Sequence, residues 1–246
     1  MKAMIFAAGK GTRLQPLTNT MPKALVPVGG MPLLERLIRK LIAAGCGEIV
    51  VNVHHFSEQI AAFLQEKRNF GIHIELSDET DALLDTGGAL AKAARFFDDG
   101  EPFIVHNVDI VSSVDLQAFY RTHLLSNAAA TLAVSKRPTS RYLLFDGDGR
   151  LQGWINEATG EQKPLGKALD IDRLHKYAFS GIHIIGSELL VRLAEHTGKF
   201  SIIDFYLEHS DDMPIMRADM MGEVIIDVGK MATFDQANTF IESVGL

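Results

Sequence analysis

The chain has a single cysteine, Cys46, so no intrachain disulfide can form and no Cys/His zinc pattern is available. Basic residues are also short: 24 Lys and Arg stand against 31 Asp and Glu, a formal charge of −7, whereas a nucleic-acid surface needs a clustered basic excess. No apolar run approaches the roughly 18 residues that cross a bilayer, and the N-terminus shows neither charged leader nor cleavage site. Together these absences predict a cytoplasmic protein without a membrane or nucleic-acid partner. What remains is ordinary globular usage, 47% hydrophobic and 22% charged over 246 residues, enough for one large α/β domain with a sizeable core.

The patterning fits that class. A short apolar run, Met4-Ile5-Phe6-Ala7, reads as a buried first strand. Leu33, Leu34, Leu37, Ile38, Leu41 and Ile42 recur at helical spacing, with Gly45 as the stop. A strand over 49–53 follows, then a helix capped by Ser57 with Ile60, Phe63 and Leu64 inward, then an alternating strand over 72–76. Strand alternating with helix predicts parallel pairing. Further strands are expected over 103–107, 129–134, 142–145, 151–155, 177–185 and 223–229, and helices from Gly88 through Phe97, over 115–125 behind an Asp115 cap, behind a Ser187 cap, and over 233–244. His183, inside an apolar run, reads as a core histidine.

The first strand runs into Ala8-Gly9-Lys10-Gly11-Thr12-Arg13-Leu14-Gln15-Pro16, with Lys23 shortly after. Glycines let a ligand approach the backbone, N–H groups of such a turn suit phosphate oxygens, and Arg13 and Lys23 supply fixed positive charge. Two familiar glycine loops do not fit. A P-loop requires Gly-x-x-x-x-Gly-Lys-[Ser/Thr]. A dinucleotide fingerprint needs a third glycine where Leu14 stands and an acid near the end of the second strand, which here ends Asn52-Val53-His54-His55.

The combination Ala7-Ala8-Gly9-Lys10-Gly11-Thr12-Arg13-Leu14, Pro16-Leu17-Thr18, Pro22-Lys23 and Leu25-Val26-Pro27-Val28 resembles the signature of the sugar-1-phosphate nucleotidylyltransferases, or NDP-sugar pyrophosphorylases. The resemblance covers essentially the whole chain, strongest over 1–30 and weakest over 136–176. It implies a single Rossmann-like domain over 1–246, with a mostly parallel mixed central sheet flanked by helices and a small sugar-binding β excursion. Residues 1–135 would form the nucleotide-binding part, and 136–246 the sugar-binding part with the closing strand and helix. No hexapeptide repeats follow, so the left-handed β-helix of many relatives is not expected.

By the same resemblance Arg13 and Lys23 are catalytic, and Ala7, Ala8, Gly9, Gly11, Thr12, Thr86, Gly87, Gly88 and Asn107 line the nucleotide. Lys163, Ser180 and Gly181 take the sugar 1-phosphate, and Asp109 and Asp227 hold Mg²⁺; from their residue types, Asn156 or Glu157 is expected to bond sugar hydroxyls. Residues 107–109 are Asn-Val-Asp where the family has Asn-Gly-Asp, Lys230 replaces a common threonine, and Ser140-Arg141-Tyr142 lacks a usual glycine. The implied reaction joins a nucleoside triphosphate and a sugar 1-phosphate, in a monomer or small homo-oligomer. UTP with N-acetylmuramic acid 1-phosphate, in cell-wall recycling, leads, against a mannose-1-phosphate guanylyltransferase or a phosphocholine cytidylyltransferase. A regulatory module that binds sugar nucleotide without turnover is the reading from another class.

Overall fold

The computed structural model describes residues 1–164 and 169–244, and its contacts group them into two units. The first contains Met1–Leu83, Val105–Gln117 and Glu223–Leu246; the second contains Leu84–Ile104 and Ala118–Gly222. These units are cut differently from the halves 1–135 and 136–246.

In the first unit the apolar run becomes the strand Lys2–Phe6, with Ala3, Met4 and Ile5 fully buried. It pairs in parallel with Glu48–Val53, from Lys2 opposite Glu48 to Phe6 opposite Asn52, and Glu48–Val53 pairs in parallel with His73–Asp78. The helix Leu33–Ala43 buries Leu33, Leu34, Leu37, Ile38 and Leu41 along one stripe, and Gly45 ends it at φ 98. Ser57 does not cap the second helix. Phe56, left-handed at φ 58, precedes it, and Ser57 is its first residue. The expected strand over 223–229 shortens to Ile225–Asp227, which pairs antiparallel with Ile110–Ser112, and Met231–Val244 is the closing helix.

Lys40, in the last turn of the first helix, donates to the Ser112 carbonyl and to its hydroxyl. Burial pulls its ammonium from 10.5 down to about 8, against the partial support of Glu223 and Asp115. Between those values the unfolded chain binds more protons than the folded one, so stability rises with pH across that window. Lys40→Met is expected to remove that rise and to add about 1 kcal/mol at pH 7, since the lost bonds to Ser112 offset much of the relieved burial. Denaturant midpoints of both proteins from pH 7 to 10.5 check this.

In the second unit Ala130–Ser135 pairs antiparallel with His175–Ile185 and parallel with Ile215–Asp219. Arg141–Phe145, Leu151–Asn156 and Glu161–Lys163 make an antiparallel run, and residues 175–177 pair with the first of these. Helices Asp85–Ala93, Ser187–Ala194 and Ile202–His209 belong here. Ser187 is likewise the first helical residue, after an extended Gly186, rather than a cap. His183 is 1% exposed and bonds the Tyr206 hydroxyl, as a core histidine does. Pairing is parallel along the first unit's strands Lys2–Phe6, Glu48–Val53 and His73–Asp78 and largely antiparallel in the second unit, and each unit carries helices, so the architecture is mixed α/β.

Candidate active site

The glycine loop is built to present amide hydrogens. Gly11 sits at φ 64, where a Cβ would lie 2.9 Å from Thr18 Cγ2 and 3.0 Å from Lys23 Cβ, so neither the conformation nor the space admits a side chain. Its carbonyl accepts from Leu14 N at 2.9 Å and from the Thr18 hydroxyl at 2.8 Å, which folds the following residues into a single 3₁₀ turn. Among the described residues no protein acceptor takes the N–H groups of residues 9–13. Unengaged amides in a glycine turn are the donors from which backbone anion sites are built.

Ala7 and Ala8 differ from their neighbours. Their N–H groups donate to Asn52 Oδ1 at 2.7 and 3.3 Å, and Asn52 Nδ2 donates to Glu79 Oε1 at 2.7 Å. What these two alanines can offer a ligand is therefore carbonyl oxygen.

The charged residues gather on the same unit. Val108 donates to the Phe6 carbonyl at 3.1 Å, extending the strand Phe103–Asn107 by one step and delivering Asp109 at its carboxyl end. Val108 is not among the positive-φ residues, so this turn has no need of the family's glycine. Lys23, 8% exposed, pairs through Nζ with Asp109 Oδ2, which leaves two of its three ammonium donors for a ligand. Val228 N donates to the Asp109 carbonyl at 2.8 Å, and Asp227 lies opposite Ile110 in the strand pair, so residues 109 and 227 occupy adjacent rungs.

Gly229 completes the group. A Cβ there would stand 2.7 Å from Asp227 Oδ1 and 3.0 Å from Arg13 Nη2, so Asp227 and Arg13 converge over a buried glycine. Gly229→Ala is expected to lower kcat/KM about tenfold by displacing both groups, with little change in melting temperature. Steady-state kinetics beside a thermal melt test this.

Among the described residues no group of three or more His, Cys, Asp or Glu forms a metal cage. Two carboxylates such as Asp109 and Asp227 could still serve Mg²⁺, which is commonly held by one or two carboxylates while substrate phosphates and water fill the rest of its shell.

The other expected residues lie in the second unit. Gly87 and Gly88 both donate to the Phe200 carbonyl, at 2.9 and 3.3 Å, and Thr86 N donates to Asp85 Oδ1 at 2.7 Å. Their backbone donors are thus engaged. A Cβ on Gly87 would meet the Phe200 ring at 2.3 Å, so packing alone explains this glycine. Ile202 N donates to the Thr86 hydroxyl and Lys163 pairs with Asp204 at 2.8 Å, so one helix, Ile202–His209, holds both residues. Glu157 pairs with Lys176 at 2.9 Å, and Asn156 closes a turn through Ala158 N at 3.1 Å. At Ser180 and Gly181 the strand bulges, Gly181 at φ 71, and the buried Ser180 hydroxyl has no partner among the described residues. A bulge with an unpartnered hydroxyl is a feature of ligand-lining strands.

A profile of the nucleotidyl transferase family matches residues 2–244. The chain belongs to that family. Among its relatives, an N-acetylmuramate α-1-phosphate uridylyltransferase of Neisseria meningitidis serogroup B is 40% identical over 122 residues, 50% of this chain and 52% of that protein. A mannose-1-phosphate guanyltransferase of Gibberella zeae is 39% identical over 147 residues, 58% of this chain and 40% of that one. The chain thus spans about half the length, or less, of these curated relatives. A crystal structure of a UDP-glucose pyrophosphorylase with UDP-glucose shares the fold, at TM-score 0.78 and 16% identity, covering 99% of this chain and 98% of the other.

In this member of the family, Asn52, Glu79 and Gly229 were not singled out from the sequence, yet they stand against the glycine loop, Asp227 and Arg13. Asn52 carried a signal, a buried polar side chain within the apolar run over 49–53. Lys230, at the family's threonine position, is exposed, and its carbonyl accepts from Thr233 N and Phe234 N at the start of the closing helix.

Proposed function

We propose that the chain transfers a nucleoside monophosphate from a triphosphate to a sugar 1-phosphate. A phosphate oxygen of the sugar attacks the α-phosphorus in line, the bond to the β-phosphate oxygen breaks, and pyrophosphate leaves. The carrying observation is the run of unengaged amides at residues 9–13 on the same unit as Arg13, Lys23, Asp109 and Asp227. No covalent intermediate with protein is required, so the work is positioning and charge stabilisation. Arg13 binds the β- and γ-phosphates that depart together, and Lys23 stabilises charge growing at the transferred group. Asp109 and Asp227 would hold Mg²⁺, which when bound neutralises phosphate charge.

For the base, Ala7 and Ala8 with their N–H groups engaged leave carbonyl acceptors, which favours a base that presents an N–H donor. Uracil, thymine and guanine present a ring N–H at their pairing edges; cytosine presents a ring nitrogen acceptor there and has its donors only on the exocyclic amine. This supports UTP or GTP over CTP, and UTP with N-acetylmuramic acid 1-phosphate is the reading we favour, in the cytoplasm where triphosphates are supplied and within cell-wall recycling. The 39% identical guanyltransferase makes GTP with mannose 1-phosphate the second reading. A non-catalytic binding module is disfavoured, since Arg13, Lys23, Asp109 and Asp227 are all present.

Pyrophosphate release with Mg²⁺, across UTP, GTP, CTP and dTTP against muramic, glucosamine, glucose and mannose 1-phosphates and phosphocholine, tests the proposal. UTP with N-acetylmuramic acid 1-phosphate is the pair expected to react. Silence across the grid from a folded protein that binds a nucleotide would overturn these acceptors and turn the reading to a different acceptor or to the binding module.

A further inference from the structure

Asn52 is 3% exposed and Glu79 1% exposed, and every polar atom of the Asn52 amide points to a named partner. The acceptor oxygen takes two successive backbone amides at the point where the strand Lys2–Phe6 leaves the sheet, and the donor nitrogen is held by a carboxylate on the segment after His73–Asp78. Aspartate could still accept from both amides, but it could not donate to Glu79. The link is therefore polarised: Glu79 fixes which end of the amide faces the loop.

Only residues 7 and 8 are held in this way. The amides immediately after them, of residues 9–13, have no protein acceptor among the described residues. A loop whose first two amides are tied to a buried side chain and whose next five are unengaged is divided at Gly9, and the tie sets the direction in which the unengaged run starts. We propose that Asn52, oriented by Glu79, is a positioning residue that sets the aim of the triphosphate loop without touching the substrate. This rests on the nucleotidyl-transfer reading of the same loop. Its signature is selective: triphosphate binding suffers, and sugar-phosphate binding does not.

The test uses three variants of the full chain, Asn52→Ala, Asn52→Asp and the double variant Asn52→Asp/Glu79→Gln. Asn52→Ala leaves two buried amides without an acceptor and should raise KM for the triphosphate about tenfold, with KM for the sugar phosphate within about twofold. Asn52→Asp sets two carboxylates against each other and should lose a similar factor. In the double variant the aspartate accepts from both alanine amides and from the new glutamine amide, so the network is complete with its polarity reversed. Its KM should return to within about threefold of the parent, a rescue that lost packing or lost charge would not produce. A KM for the triphosphate unchanged in Asn52→Ala, or a double variant no better than Asn52→Asp, would overturn the proposal. Amide exchange at residues 7 and 8 provides a readout apart from turnover: it should accelerate in Asn52→Ala and slow again in the double variant, and unchanged exchange would also overturn the proposal. If the parent protein turns over no pair while exchange behaves as described, the reading of the reaction fails and the positioning of the loop stands.

Discussion

Asp109→Asn should lower kcat/KM by about 10³-fold while the protein still folds and still binds nucleotide. The substitution keeps the shape of the side chain and removes only its charge. Backbone contacts that place residue 109 survive, namely the bond from Val228 N to its carbonyl and the strand step at Val108. What disappears is one of the two carboxylates available for a cation and the counter-charge of Lys23. Because Lys23 is 8% exposed, its ammonium then faces a less compensated environment, and about 1 kcal/mol of stability should go with the charge. The discriminating measurement is pyrophosphate release over a wide Mg²⁺ range. A lost ligand gives low turnover that recovers in part at high Mg²⁺, whereas activity within tenfold of the parent at ordinary Mg²⁺ would remove Asp109 from the cation site.

The elements legible in the sequence are those with a local cause. Ala3, Met4 and Ile5 form an unbroken apolar run, so the first strand was readable, and the stripe from Leu33 to Leu41 announced its helix. Asp109 could be placed because carboxyl ends of strands are where ligands bind in such sheets. The helix Ile202–His209 and the strand Ile215–Asp219 were not expected. The first mixes aromatic and β-branched residues that suit a strand equally well, although Ser201, whose hydroxyl accepts from Ile203 N at 3.2 Å, followed three residues later by Asp204, is a helix-start signature. The strand acquires its partner, Ala130–Ser135, from far away in sequence. Ser57 and Ser187 look like caps but stand one place inside their helices, because Phe56 and Gly186 adopt the boundary conformations. Asn52 and Gly229 eluded the sequence for the same physical reason: each matters through atoms at positions remote in the chain, and only coordinates bring Asn52 to Ala7 or Gly229 to Arg13.

Lys23→Ala should lower kcat by about 10² to 10³-fold with a small change in KM for either substrate, the pattern of a contact that strengthens as charge develops. Arginine at the same position is expected to restore little, since a planar fork cannot reproduce a compact ammonium held against Asp109 beside the Gly11 turn, where Lys23 Cβ already limits the space. Near-parent turnover in Lys23→Ala would remove this lysine from the reaction. The pairing of Nζ with Asp109 Oδ2 makes a further demand on the numbers. Two residues in contact do not act independently, so the loss in Asp109→Asn/Lys23→Ala should fall well short of the product of the two single losses. If the factors multiply instead, the ion pair is incidental to the reaction, and Lys23 and Asp109 act on the triphosphate separately.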